Sequence, residues 1–226
     1  PRHKFNTWRR IWLAVAEAQQ ACGLPITDEQ IAELRAVVER GITDEEMARA
    51  AELERELRHD VMAHVHCLGE RCPKAKPIIH LGCTSQDVVC NADLAIINDA
   101  KNLINDKLDR AIFGMGDTAS KYAEIPTLAF THYQAAQPTT VGRRIAGWAY
   151  DIVLCEDRIT TGYPLADSRG LRGATGTQGS FLKLFDGDAS KVDLLELKFL
   201  AAWGKLVDGA DVSVEPTRLC SEFHPA

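Results

Sequence analysis

The chain has 226 residues and a formal net charge of −6, and 46% of it is hydrophobic against 26% charged; that balance is typical of a globular protein of one or two domains. The acidic charge excludes a general nucleic-acid binder, because neutralising phosphates takes an excess of lysine and arginine. No stretch reaches the ~20 apolar residues that cross a bilayer, so no membrane association is expected. The opening Pro1-Arg2-His3-Lys4 carries no signal-peptide pattern. The seven cysteines are odd in number and form no CxxC pair, and they read as reduced thiols of a cytoplasmic protein.

Taken in chain order, the pattern is helical. Phe5 to Ala21 carries Trp8, Ile11, Trp12 and Val15 at helical spacing, and Gly23 stops it. Thr27 with Gln30, and Thr43 with Glu46, predict capping boxes at two helix starts. The second of these helices is predicted from Asp44 to Leu68, with Leu53, Leu57, Val61, Val65 and Leu68 as its buried stripe. A Pro-containing loop from Gly69 leads to Ser85, the expected cap of a long helix through Ile97, Ile104, Leu108, Ile112 and Met115. Its near-heptad spacing suggests a bundle. Pro126 to Gln137 reads as a loop, and Pro138 sits at the start of a helix that continues through Val141 to Thr161. Pro164 and the glycines at 170, 173, 176 and 179 mark a flexible connection. A last helix is expected from Ala189 to Leu206. No alternating strand pattern of useful length occurs, so the predicted fold class is all-α. The four tryptophans are expected in the core.

Three segments cluster chemically capable side chains. The first is Arg58-His59-Asp60 with His64 and His66. On a helical wheel His59 and His66 point away from the apolar stripe, and His64 sits at its edge. On a straight helix His59 and His66 stand roughly 10 Å apart along the axis, too far for one metal. No HExxH pattern is present either. Solvated or hydrogen-bonded histidines are therefore preferred to a metal site, and no metal or other cofactor is expected. In the second segment, His80 to Asp87, Thr84 and Ser85 suit two roles: a helix cap, or a helix N-terminus that receives a carboxylate or phosphate. The third segment, Phe130 to Thr140, holds Thr131 and His132, the latter placed in a polar loop where a histidine can transfer protons. The glycine-rich run 169–178 lacks the GK[ST] ending and preceding strand of a Walker motif, and reads as a hydrogen-bonding loop.

In order, KFNTWRRIWLAVAEAQQACGLPITDEQI, LRHDVMAHVHCLGERCPKAKPIIHLGCTSQDV, FTHYQAAQPTTVGRR and RGLRGATGTQGSFLKLFDGD resemble the adenylosuccinate lyases of the fumarase/aspartase superfamily, over roughly residues 4 to 192. The resemblance implies β-elimination of fumarate from adenylosuccinate, giving AMP, and from the succinylated aminoimidazole carboxamide nucleotide of purine biosynthesis. It implies His132 as general acid, with His59 paired to it, and His80 near the nucleotide. Arg58, Asp60, Thr84, Ser85, Thr131 and Gln178 would bind the substrate. It also implies a homotetramer that acts on a small nucleotide without a cofactor. Residues 1–84 would form the N-terminal helical domain, and 85–226 the truncated start of the long-helix bundle, with a divergent tail from about 193.

Two features of that family have no counterpart in the chain. These are the loop of form SSxMPxKxNP, which carries a serine base, and an upstream Arg-Tyr pair for the phosphate. The isolated chain is therefore expected to be incomplete and inactive. The alternatives are a catalytically incomplete isoform that binds intact lyase subunits, or another lyase of the superfamily such as one acting on argininosuccinate.

Overall fold

The computed structural model describes residues 1–162 and 168–206. The expectations for Pro164, for the last of the seven cysteines (Cys220) and for the tail beyond 206 lie outside these residues. The described elements are α1 (Arg2–Ala21), α2 (Asp28–Arg40), α3 (Asp44–Leu57), α4 (Asp60–Arg71), α5 (Ser85–Lys121), β1 (Pro126–Thr131), β2 (Gln134–Thr140), α6 (Val141–Gly162), α7 (Gly179–Leu184) and α8 (Ala189–Leu206). The fold is all-α apart from one hairpin. It forms two compact units, one from Pro1–Asn98 with the described residues from 168 onward, the other from Asp99–Pro164; the chain passes between them within α5.

The first unit is organised by α1. Its predicted face is buried: Trp8, Ile11, Trp12 and Val15 are almost fully enclosed. Each such side chain contributes about 1.5–3 kcal/mol on burial. This face packs with α2 and with α8, which supplies Val192, Leu195, Phe199 and Trp203 to the same core. Of the four tryptophans, Trp148 departs from the expectation and is exposed. Both capping boxes form, Thr27 with Gln30 and Thr43 with Glu46.

Glu46 also reaches inward. Its carboxylate accepts from the buried Arg9 at 2.9 Å and from Arg40 at 2.6 Å, with Arg71 at 3.5 Å. Burial alone would raise the Glu46 carboxyl, but hydrogen bonds from Arg40, the Thr43 N–H and Arg9 outweigh it and hold it below the ordinary glutamate value. His64 is enclosed too, stacked on Phe5 with ring centroids 3.8 Å apart and edge-on to Trp8. Burial pushes its pKa down to about 4, and the nearby Arg9 adds to the effect.

The predicted helix from Asp44 to Leu68 is two helices. Arg58 takes the left-handed conformation (φ 54°) and closes α3, and His59 is extended and caps α4. The periodicity missed this break because the side chains at 59 and 60 capture free amides of the next turn, a local choice that a hydrophobic stripe does not record. Leu57, assigned to the stripe, is largely exposed.

In the second unit, Pro126 to Gln137 is not a loop. β1 and β2 form an antiparallel pair with a register shift between Leu128 and Phe130. Pro138 does not open a helix; it sits in β2 opposite Leu128. A bulged two-stranded ribbon tolerates a proline that an interior strand would not. Polar residues in β2 and the proline hid the alternation that marks a strand. α6 lies close against α5 at Gly142, where an added methyl would meet the Ala119 carbonyl at 2.3 Å. Among the described residues, no helix is long and apolar enough to cross a membrane.

Candidate active site

The break between α3 and α4 places Arg58, His59 and Asp60 side by side at the surface. They line one wall of an open cleft with Glu52, Glu54 and Arg55. His59 Nδ1 accepts from the Met62 N–H at 3.4 Å, the cap of α4. With Nδ1 accepting, the ring proton sits on Nε2, which lies 3.3 Å from Ser85 Oγ. The α4 N-terminus and the α5 N-terminus thus meet through one histidine and one serine. Asp60 turns back on its own helix, and its Oδ1 accepts from the Val61 N–H at 2.7 Å.

Ser85 was expected to cap α5. It is instead the first helical residue, with Thr84 preceding it. The start is closed by Asp87, whose Oδ2 accepts from the Thr84 N–H at 2.9 Å. Ser85 Oγ is thereby left to face His59. Asp87 is fully buried, and its Oδ1 accepts from the Arg169 guanidinium and from the N–H groups of Arg172 and Gly173, both at 3.0 Å. One turn on, Asn91 accepts from Ser168 and the Arg169 N–H and donates to the Gly170 carbonyl.

These bonds staple the glycine-rich run to α5. From the other side Glu196 of α8 accepts from the Leu171 N–H and from Arg172. Burial raises the Glu196 carboxyl, and the Arg172 charge opposes the rise. Gln178 belongs to the stapled loop: its Nε2 donates to the Leu171 carbonyl at 3.0 Å, and its backbone is left-handed at φ 55°.

His80 enters from the loop between α4 and α5, in a left-handed backbone conformation (φ 66°). Two residues on, Gly82 allows the loop to lie against α7, where a methyl would stand 2.6 Å from Leu184 Cδ1. The His80 Nδ1 accepts from the Trp12 indole N–H at 3.0 Å. Burial lowers the His80 pKa, the Asp87 charge opposes the shift, and the neighbouring His59 reinforces it. Cys83, beside this loop, is pushed well up by burial and stays a thiol at neutral pH.

In the first unit, therefore, Arg58, His59 and Asp60 meet Thr84 and Ser85 at two helix N-termini, His80 lies near His59 and Asp87, and Gln178 belongs to the glycine-rich loop stapled to α5. Such a surface offers oriented N–H, hydroxyl and imidazole donors to an anionic ligand. Thr131 and His132 belong to the second unit. His132 and Tyr133 form the two-residue turn of the hairpin, with φ of 50° and 60°, as a type I′ turn requires. The turn holds the His132 ring in solvent.

Sequence reasoning missed Asp87, Asn91, Arg169 and the second role of Trp12. The Thr84-x-x-Asp87 spacing was a readable capping signal. The Asp87–Arg169 partnership spans 82 positions and left no local trace. Among the described residues no group of three or more His, Cys, Asp or Glu side chains is placed to hold a metal ion.

Residues 4–181 match the protein-family model described as Lyase. The adenylosuccinate lyase of Saccharomyces cerevisiae is 45% identical over 196 residues, 86% of this chain and 40% of that protein. The adenylosuccinate lyase of Schizosaccharomyces pombe is 44% identical over 85% of this chain and, again, 40% of its own length. Among solved structures, the fumarate lyase from Mesorhizobium sp. BNC1 superposes with a TM-score of 0.76 at 21% identity, covering 95% of this chain and 47% of the other; at that identity the likeness speaks to the fold. The chain thus spans about 40% of the length of the curated relatives it matches. With the family model matched across most of its residues, the chain belongs to this lyase family, and its curated relatives there are adenylosuccinate lyases.

Proposed function

We propose that this protein eliminates fumarate from adenylosuccinate to leave AMP, and does the same to the succinylated aminoimidazole carboxamide nucleotide of purine biosynthesis. The observation that carries the reading is the 45% identity to an adenylosuccinate lyase over 86% of the chain. In this reaction a proton leaves a succinyl carbon, the C–N bond breaks, a C=C bond forms, and the departing nitrogen gains a proton. Negative charge builds on a carboxylate in between, so preorganised donors stabilise the transition state.

In this reading His132 is the general acid and His59 pairs with it. Thr84, Ser85, Thr131, Gln178, Arg58 and Asp60 hold the substrate, and His80 lies by the nucleotide. The His59–Ser85 contact and the α5 N-terminus support that assignment. The six described cysteines are free thiols, which fits a cytoplasmic setting. The 226 residues alone are proposed to lack turnover, since they contain no SSxMPxKxNP-like loop and loss of one catalytic group commonly costs several orders of magnitude.

Fumarate release from adenylosuccinate tests the reading. It is measured with the 226 residues alone and with the longest translation product that carries them. The longer product is expected to release fumarate, and its His132→Asn variant to be slower by roughly 10²–10⁴-fold, the range of acid–base contributions. The shorter chain is expected to release none. Turnover of argininosuccinate in place of adenylosuccinate would refute the substrate assignment.

A homotetramer is proposed as well. On the second unit Leu103, Phe113, Trp148 and Tyr150 are all more than half exposed, more apolar surface than a two-helix hairpin leaves in water without a partner. Size-exclusion chromatography with light scattering on the longer product should give four times the chain mass; a monomer would contradict this.

A further inference from the structure

We infer that Trp12 is a positioning residue that locks His80 as the neutral Nε2–H tautomer, so that His80 serves the site as a hydrogen-bond donor to an oxygen of the bound ligand. The indole Nε1 carries a hydrogen and has no lone pair to offer, so it can only donate. It lies 3.0 Å from His80 Nδ1. That nitrogen must present its lone pair, and the ring hydrogen is left on Nε2. An imidazolium would set N–H against N–H across the same gap. The Nδ1–H tautomer would do the same.

The geometry leaves neither ring free to turn. Trp12 is 1% exposed within the α1 core, its ring stands edge-on to His80 at an interplanar angle of 87°, and the His80 backbone is held at φ 66° beside the close contact of Gly82 with α7. Two titratable groups face His80 from the neighbouring helices, the Asp87 carboxylate of α5 and the His59 ring at the head of α4. Burial outweighs the attraction of the carboxylate, and the ring stays uncharged at neutral pH. Among the described residues Nε2 has no protein partner. A neutral donor suits an oxygen acceptor and adds no charge to it, which separates His80 from the arginine of the same surface.

The ligand half of this inference rests on the proposed lyase reading; the tautomer half does not. The test is ¹⁵N-histidine labelling of the full chain, with long-range ¹⁵N–¹H correlation and His80→Gln to assign the signals. The expected result at neutral pH is a pyridine-type Nδ1 and a pyrrole-type Nε2 for His80. A pyrrole-type Nδ1, or two cationic nitrogens, overturns the assignment in the wild-type chain alone, whether or not a variant folds.

Trp12→Phe keeps an aromatic ring in the core and removes only the donor. His80 is then expected to populate both tautomers and to titrate closer to the ordinary histidine range. An unchanged spectrum in a folded Trp12→Phe chain would show that Trp12 does not set the tautomer. Added AMP, which offers phosphate but no carboxylate, is expected to shift His80 Nε2, and fumarate, the reverse case, serves as the second arm. A shift with either supports the donor role and names the acceptor. No shift with both removes the ligand half while the tautomer result stands.

Discussion

Glu46→Ala is expected to destabilise the first unit by about 3–5 kcal/mol, the cost of stripping one partner from a buried ion pair. Arg9 and Glu46 are each 1% exposed at the side chain, so solvent does not compensate for the loss. The variant leaves the Arg9 guanidinium in the core with its Nε and Nη2 already lacking protein partners among the described residues. It also removes half of the capping box at the start of α3 and the anchor of Arg40 and Arg71. The effect is a large fraction of the 5–15 kcal/mol that holds a typical domain together. Urea unfolding followed by circular dichroism reads it as a lowered midpoint, and a loss below about 1 kcal/mol would show that the pair is dispensable. The same carboxylate gives a pH dependence. Its folded pKa is depressed, so its contribution is complete above the ordinary glutamate value and fades as pH falls through the lower folded value.

Asp87→Ala is expected to cost a similar amount, about 3–5 kcal/mol, by the same argument, but with a different signature. Four donors converge on this carboxylate: the Thr84, Arg172 and Gly173 amides and the Arg169 guanidinium. Removing it frees the glycine-rich loop from α5 while leaving the α1 core intact. Hydrogen exchange should therefore quicken more at the amides of Thr84, Arg172 and Gly173, which lose their acceptor, than at those of Ile11 or Val15. Unchanged protection at the first three would mean that Asn91 and Glu196 hold the loop by themselves.

The two networks explain what the sequence disclosed and what it hid. Short-range signals were legible. Thr27-x-x-Gln30 and Thr43-x-x-Glu46 capped the helices they were expected to cap, the Trp8-Ile11-Trp12-Val15 face was the core, and α8 runs from Ala189 to Leu206 as its periodicity indicated. Signals that depend on a distant partner were not. Glu46 read as a capping residue, yet its inward bonds reach Arg9, 37 positions away. His64 read as an edge residue, because nothing local announces that Phe5 will stack on it. The hairpin was hidden for a related reason: its cross-strand pairing, not its own composition, makes residues 134–140 a strand. Of the candidate site, the residue types and their segments were visible. The contact between His59 and Ser85, the orientation of His80 on Trp12 and the staple on Asp87 were visible only once the helices were placed.

The core of the first unit joins α1, at residues 2–21, to α8, at residues 189–206. A ribosome adding about 5–20 residues per second leaves the apolar face of α1 without its α8 partner for roughly 10–40 s after α1 is made. Loop closure over such a separation is slow by nature, so in that interval Trp8 and Trp12 lack the cover that Phe199 and Trp203 later provide. Over that interval the nascent chain carries an uncovered apolar face, the kind of surface that favours aggregation during synthesis.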